Sequence, residues 1–254
     1  MSPPPDYGPA PLAIVTGGAK RIGAVLVRAL AAAGWRVLIH CYGSRGEADA
    51  LAGEIGGAVV VADLAEWDAA DTVIGAAEGG ARLLVNNASR FVYDRLDTFT
   101  QADWDAHMAV NARAPLLLTR AFAAALPEGA RGLVVNLLDA KLSALNPDYF
   151  SYTVAKQALA GATELAARAL APRVRVNAVA PAITMTSGPQ NRDDFDAVHA
   201  RNPLQRGVDA EDIARALMFL VASPTITGQT ITVDAGARFM GLPRDVAFMK
   251  DHDV

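Results

Sequence analysis

Cysteine is almost absent from this chain of 254 residues: Cys41 is the single thiol, which excludes an internal disulfide. A chain of that kind is expected in a reducing compartment, the cytoplasm. With one cysteine and four scattered histidines there is no metal-ligand spacing, so no metal site is expected. Aromatic residues make up only 6% of the chain, and alanine-rich stretches imply helices that pack through small side chains. No apolar run reaches the roughly 18 residues that span a bilayer. The opening "MSPPPDYGPAP" has no basic segment followed by an apolar stretch, so residues 1–11 read as a flexible proline-rich leader and not as a secretory signal. A formal net charge of -4 gives no general attraction to nucleic acid or to anionic membranes.

What is present is a rhythm. Short apolar runs at 12–16, 35–40, 58–64, 82–88, 132–138, 173–181 and 229–236 alternate with helical stretches at 21–33, 46–54, 67–78, 102–125, 150–170 and 209–222. Runs this apolar suit strands covered on both faces, and their alternation with helices predicts right-handed βαβ units and an α/β fold with a parallel sheet. One domain is expected over residues 12–236, with the irregular 182–208 segment placed after a strand, where an α/β protein binds ligands, as a substrate lid. The tail, 237–254, is apolar in pieces and is expected to pack on a partner subunit.

The stretch "AIVTGGAKRIGAVLV" reads as strand, glycine turn and helix. Gly17 lets the backbone bend, Gly23 lets the helix approach the sheet, and the helix N-terminus can receive a pyrophosphate. A dinucleotide site that prefers NAD places an acid about 20 residues further on, against the ribose 2′-hydroxyl. Here the second strand runs into "IHCYGSRGE", with no acid before Glu47, while Lys20, Arg21, His40, Ser44 and Arg45 are at hand. Missing negative charge and nearby cations favour a 2′-phosphate, hence NADP(H).

Tyr152 and Lys156 lie one helical turn apart and share a face. A tyrosine titrates near 10 in water, and an adjacent ammonium is expected to lower that value and ease proton exchange. Lys156 is also expected to hold the nicotinamide ribose. Tyr149 competes for the role, but four residues on it meets Thr153 and not a lysine. Asn111 falls inside the long fourth helix and is expected to hold a water or a backbone carbonyl in a proton relay.

With "TGGAKRIG", "ADL" at 62–64, "NNAS" at 86–89, Asn111, the Tyr152–Lys156 pair, "RVNAVAP" and "VDAG", the chain resembles the short-chain dehydrogenase/reductase family over residues 10–236. The resemblance implies a doubly wound, Rossmann-type sheet of seven parallel strands and a homotetramer built on two long helices. It brings Ile22 and Leu64 to the cofactor, Asp63 to the adenine, Asn87 and Ala88 to the ribose, and Pro181 to Thr184 to the nicotinamide. Two departures stand out: Arg21 where the family commonly has a small residue, and Asp139 where it has a serine. Together with "NNASRF" they are similar to the pteridine reductase and dihydromonapterin reductase branch. That likeness implies a substrate shell of Arg21, Ser89, Phe91, Asp139 and Tyr152, with Phe91 stacked on a pterin. Gly43 and Ala182 depart from the branch, which has an arginine and a glycine there; Arg45 stands close enough to replace the arginine.

Asp139 bears on the reaction. Reducing a ketone builds negative charge on oxygen, and losing one donor to that oxygen typically costs about 10²–10³ in rate. An ionised carboxylate would repel the developing alkoxide. Reducing a C=N bond puts a proton on nitrogen instead, and a carboxylate can accept hydrogen bonds from N–H groups or relay the proton through Tyr152. The expectation is an NADPH-dependent reductase of pterin or folate-like substrates. A ketone reductase with Asp139 protonated by burial, and a silent NADP-binding sensor or scaffold, are the alternatives.

Overall fold

The computed structural model describes residues 7–184, 202–245 and 248. Strands β1 (Leu12–Val15), β2 (Arg36–Cys41), β3 (Ala58–Val61), β4 (Ala81–Asn86), β5 (Gly132–Leu137), β6 (Val174–Pro181) and β7 (Thr230–Val233) form one sheet in the order β3-β2-β1-β4-β5-β6-β7. Every pairing is parallel, as the apolar runs predict. The connections leave β1 and β4 in opposite directions, so a crevice opens at their carboxyl ends.

Alternation along each strand fills both faces. Ala13, Val15, Leu83, Val85, Leu133 and Val135 face helices α1 (Arg21–Ala32) and α2 (Arg45–Ile55) and the helix Ala210–Ala222, where Leu26, Leu30, Leu51, Leu217 and Leu220 meet them. Leu12, Ile14, Leu84, Val134 and Val176 face the other way, onto α3 (Ala69–Gly75) and α5 (Ala114–Ala125) through Val73, Leu118 and Phe122. The remaining helices are α4 (Gln101–Met108) and α6 (Phe150–Leu170), and Ala210–Ala222 is α7.

Three expectations need correction. The stretch 102–125 is not one regular α-helix: α4 and α5 are joined by a π-helical turn, Ala109–Arg113, which carries Asn111. The third strand stops at Val61 and not at 64, because the Asp63 side chain accepts from the Ala65 N–H at 2.9 Å and turns the chain. The leader is not loose throughout, since Tyr7 is buried against Trp35 and receives a hydrogen bond from Arg175 at 2.8 Å.

Candidate active site

A cleft of about 940 Å³ runs along the carboxyl edge of the sheet. That volume suits a dinucleotide-sized ligand together with a small one. It gathers residues from the ends of β1 to β6, with Tyr152 and Lys156 from α6 and Leu242, Arg244 and Asp245 from the tail.

At one end, Gly17 adopts a left-handed backbone (φ 59°) that a side chain would strain. A Cβ on Gly23 would stand 2.2 Å from the Gly17 carbonyl and 2.7 Å from the Asn87 amide, so only glycine allows α1 this close to the strands. Asn87 donates to the carbonyls of Thr16 (2.8 Å) and Gly17 (3.1 Å), while the Thr16 hydroxyl accepts from the N–H groups of Asn87 and Ala88, both at 3.0 Å. The β1 and β4 loops are thereby fixed to each other. Helix α1 opens at this point with no side-chain cap and no acid in its first turn, leaving its N–H groups and dipole suited to a phosphate. Arg21, at the head of α1, is also left-handed (φ 54°), and Lys20, Arg21 and Ile22 all line the cleft.

The basic cluster expected at the end of β2 is rearranged. His40 is buried and bridges two loops, with Nδ1 3.2 Å from the Gly17 N–H and Nε2 3.0 Å from the Ala62 carbonyl. Those partners fit a neutral ring that accepts at Nδ1 and donates at Nε2, and burial lowers its pKa, so His40 brings no charge. Arg45 does not line the cleft; its guanidinium turns to Asp49 one helical turn on, at 2.7 Å. Lys20 reaches Glu47 at 2.6 Å across an exposed surface. Ser44 lines the cleft at the N-cap of α2 and makes no side-chain cap bond, and the acid in the first turn of that helix, Glu47, is paired with Lys20. Asp63, Leu64, Asn87, Ala88 and Ser89 continue the wall, and Pro181 and Thr184 close it beyond β6.

The Tyr152 hydroxyl donates to the Asp139 carboxylate at 2.8 Å. The other Asp139 oxygen accepts the Lys141 N–H at 2.8 Å, which fixes the carboxylate at the head of a short 3₁₀ turn, Ala140–Ser143. Lys156 donates to the Leu137 carbonyl at 2.7 Å, with its ammonium 5.8 Å from the centre of the Tyr152 ring. The expected lowering of the tyrosine pKa is reversed: burial, then the negative charge and hydrogen bond of Asp139, push Tyr152 well above its ordinary value. Burial pulls Lys156 down to about 8, against the opposing charge of Asp139. Tyr152 is therefore a neutral phenol, a proton donor and not a base.

Phe91 lines the cleft, stacked on Tyr149 (4.0 Å between ring centres) and edge-on to Tyr152 (4.7 Å). Asn111 does not line it. Its amide grips the preceding loop, accepting from the Arg90 N–H at 2.8 Å and the Ser89 hydroxyl at 3.1 Å and donating to the Arg90 carbonyl at 2.8 Å. It holds the Arg90 backbone carbonyl from behind the site, and the π turn is what aims it there.

Sequence reasoning missed a second buried network. Asp94 accepts the N–H and hydroxyl of Ser151 and, through its backbone carbonyl, the Phe150 N–H, capping α6 from a distant loop. His107 joins through Ser151 at 2.6 Å and accepts the Val92 N–H at 3.3 Å. These contacts pin the first turn of α6, one residue before Tyr152. The pieces lie 44 and 57 residues apart, so no local spacing signals them.

Of the segment 182–208, residues 185–201 lie outside the described residues. The described part of the tail turns back onto this chain's own cleft, with Leu242, Arg244 and Asp245 in its lining. Among the described residues no group of three or more His, Cys, Asp and Glu is placed to hold a metal ion, and no helix is long and apolar enough to cross a membrane.

Comparison with known proteins places these features. Residues 17–238 match the family model described as enoyl-(acyl carrier protein) reductase. L-xylulose reductase of Bos taurus is 34% identical over 236 residues, covering 88% of this chain and 95% of the relative. Among solved structures, FolM alternative dihydrofolate reductase 1 from Brucella canis, complexed with NADP, is 40% identical with a TM-score of 0.86, covering 93% of this chain and 97% of that one. Its Brucella suis counterpart, also with NADP, is 40% identical with a TM-score of 0.85, covering 92% and 96%. The glycine turn, the seven-stranded parallel sheet and the Tyr152–Lys156 pair thus sit in a chain that belongs to the short-chain dehydrogenase/reductase family of oxidoreductases.

Proposed function

We propose that this chain is an NADPH-dependent reductase of pterin-type substrates (dihydropteridine, dihydromonapterin or dihydrofolate) acting on a C=N bond of the ring. The carrying observation is the 2.8 Å hydrogen bond from the Tyr152 hydroxyl to the Asp139 carboxylate inside the cleft. NADP bound to the two Brucella structures supports the cofactor, and the naming of those proteins as alternative dihydrofolate reductases supports the substrate class.

The cleft fits such a cofactor. The uncapped start of α1 suits a pyrophosphate, Ser44 at the start of α2 suits a 2′-phosphate, and the one acid in that helix's first turn, Glu47, is paired with Lys20. Asp63 and Leu64 would lie along the adenine, Asn87 and Ala88 along the ribose, and Pro181 to Thr184 near the nicotinamide. When bound, NADPH supplies the hydride. Tyr152, kept neutral, carries the proton that ring nitrogen takes up, and Asp139 reorients that hydroxyl or accepts substrate N–H groups. Lys156 holds positive charge beneath the phenol ring, so that charge left on Tyr152 is balanced. Phe91, stacked on Tyr149 along one face, is part exposed at 41% and would stack on the heterocycle. Arg21, which lines the cleft at the head of α1, would reach between phosphate and substrate.

The exposed Leu116 on α5 and Leu165 on α6 support the homotetramer that the family resemblance implies. Light scattering of the purified chain measures it, four chain masses being the expected result.

NADPH oxidation with a dihydropteridine, dihydrofolate and a ketone panel tests the function. Pterin turnover is expected, with a loss of about 10²–10⁴ in Tyr152→Phe. Ketone turnover without pterin turnover would make the chain a carbonyl reductase, and NADPH binding with no turnover would leave a sensor.

A further inference from the structure

The buried carboxylate of Asp148 has no part in the chemistry described so far, yet its acceptor positions are filled. Arg244 forks onto it, Nε and Nη2 each at 2.7 Å, the Asp245 N–H reaches it at 2.8 Å and the Tyr93 hydroxyl at 3.2 Å. A carboxylate offers about four lone-pair sites, so the tail supplies three of the four donors. Burial, the largest single influence, pushes Asp148 upward, but the Arg244 and Asp245 bonds outweigh it and hold the group below its ordinary value. Asp148 lies four residues before Tyr152, at the approach to α6, so the anchor is part of the frame that carries the catalytic hydroxyl.

Aromatic packing repeats the attachment. Phe248 lies 4.5 Å from Tyr93 and 6.0 Å from Tyr149, ring centre to ring centre, and the Arg244 guanidinium stands 5.5 Å over the Phe248 ring. Tyr149 in turn stacks on Phe91 at 4.0 Å. Leu242, Arg244 and Asp245 then line the same cleft as Asp139 and Tyr152, and the Asp245 charge reaches Tyr152 and Lys141.

We infer that Leu242, Arg244 and Asp245 form a wall of this chain's own substrate cleft, clamped by Asp148, and that this wall sets which substrates the site accepts. The substrate class rests on the pterin reading above: Asp139 and Asp245 both stand in the cleft as acceptors for the N–H groups of a pterin ring. The wall itself rests on geometry alone.

The test is the kinetics of Arg244→Ala, Arg244→Lys and Tyr93→Phe with dihydrobiopterin and, in parallel, ethyl acetoacetate. The wall predicts a KM for dihydrobiopterin raised about tenfold or more in Arg244→Ala with kcat changed far less, partial recovery in Arg244→Lys, and unchanged NADPH affinity by fluorescence titration. Tyr93→Phe removes one hydroxyl and keeps the ring; a smaller rise in KM is expected there, and it decides the matter should Arg244→Ala fail to fold. If dihydrobiopterin is inert and the ketone is reduced, the pterin reading fails, while the wall is judged by the same split in the ketone KM. Unchanged substrate KM in Arg244→Ala, or in Tyr93→Phe where Arg244→Ala does not fold, would overturn the wall.

Discussion

Asp139 presents one oxygen to the Tyr152 hydroxyl and the other to a backbone N–H, so a single carboxylate is held in register with the proton donor. A spacing of 13 residues pointed to the pair, and the end of β5 is tied to α6 by Lys156 on the Leu137 carbonyl and Asn136 on Thr163. The charge state was not legible. The Tyr–Lys spacing suggests a lowered tyrosine pKa, but spacing carries no information on burial, which raises Tyr152 and lowers Lys156. Lys156 offers a check. Its pKa is about 8 in the fold against an ordinary 10.5, so between those values the unfolded chain binds the extra proton, and stability from this group rises with pH through that window. Urea unfolding of the cofactor-free chain should show the wild type gaining on Lys156→Met between pH 8 and pH 10.5; a constant difference would mean that Lys156 is not depressed. Arg21 offers another. At φ 54° a side chain is strained, so Arg21→Gly should be more stable than Arg21→Ala by about 1 kcal/mol in thermal unfolding while still losing the guanidinium.

Elements were read well where periodicity rules and poorly where a side chain breaks it. Strands and helices start within a residue or two of expectation, since apolar runs report burial directly. The π turn at Ala109–Arg113 was invisible, because its apolar pattern resembles that of the helices on either side. Its consequence is Asn111, turned onto Arg90 in the loop that leads into Phe91. Asn111→Ala leaves that loop's N–H and carbonyl without their partner, a loss of about 1–3 kcal/mol. Denaturant unfolding should register it, and hydrogen exchange at the Arg90 amide should quicken; an amide that stays protected would place the loop's support elsewhere. The same limit hid Asp94, whose capping of α6 joins residues 57 apart.

At the scale of the molecule, the parallel sheet follows from the strand–helix alternation, its doubly wound order and the cleft at its carboxyl edge agree with the family resemblance, and the glycine turn locates the phosphate end. The tail's attachment to its own chain was not legible, because Asp148, which Arg244 grips, lies 96 residues away. The partners of the expected cations were not legible for a related reason: Lys20 and Arg45 each pair with an acid, and His40 bridges two backbone groups. What remains distinctive in the assembled site is a carboxylate bonded to the proton donor. Its consequence is a choice between nitrogen and oxygen as the atom that receives the proton, and Asp139→Ser measures that choice. The ratio of kcat/KM for a dihydropteridine to that for a ketone should fall by about 10² or more when serine replaces the carboxylate, with pterin turnover dropping and ketone turnover rising. A ratio unchanged by the substitution, or one that moves toward the pterin, would contradict the assignment of Asp139 as the selector.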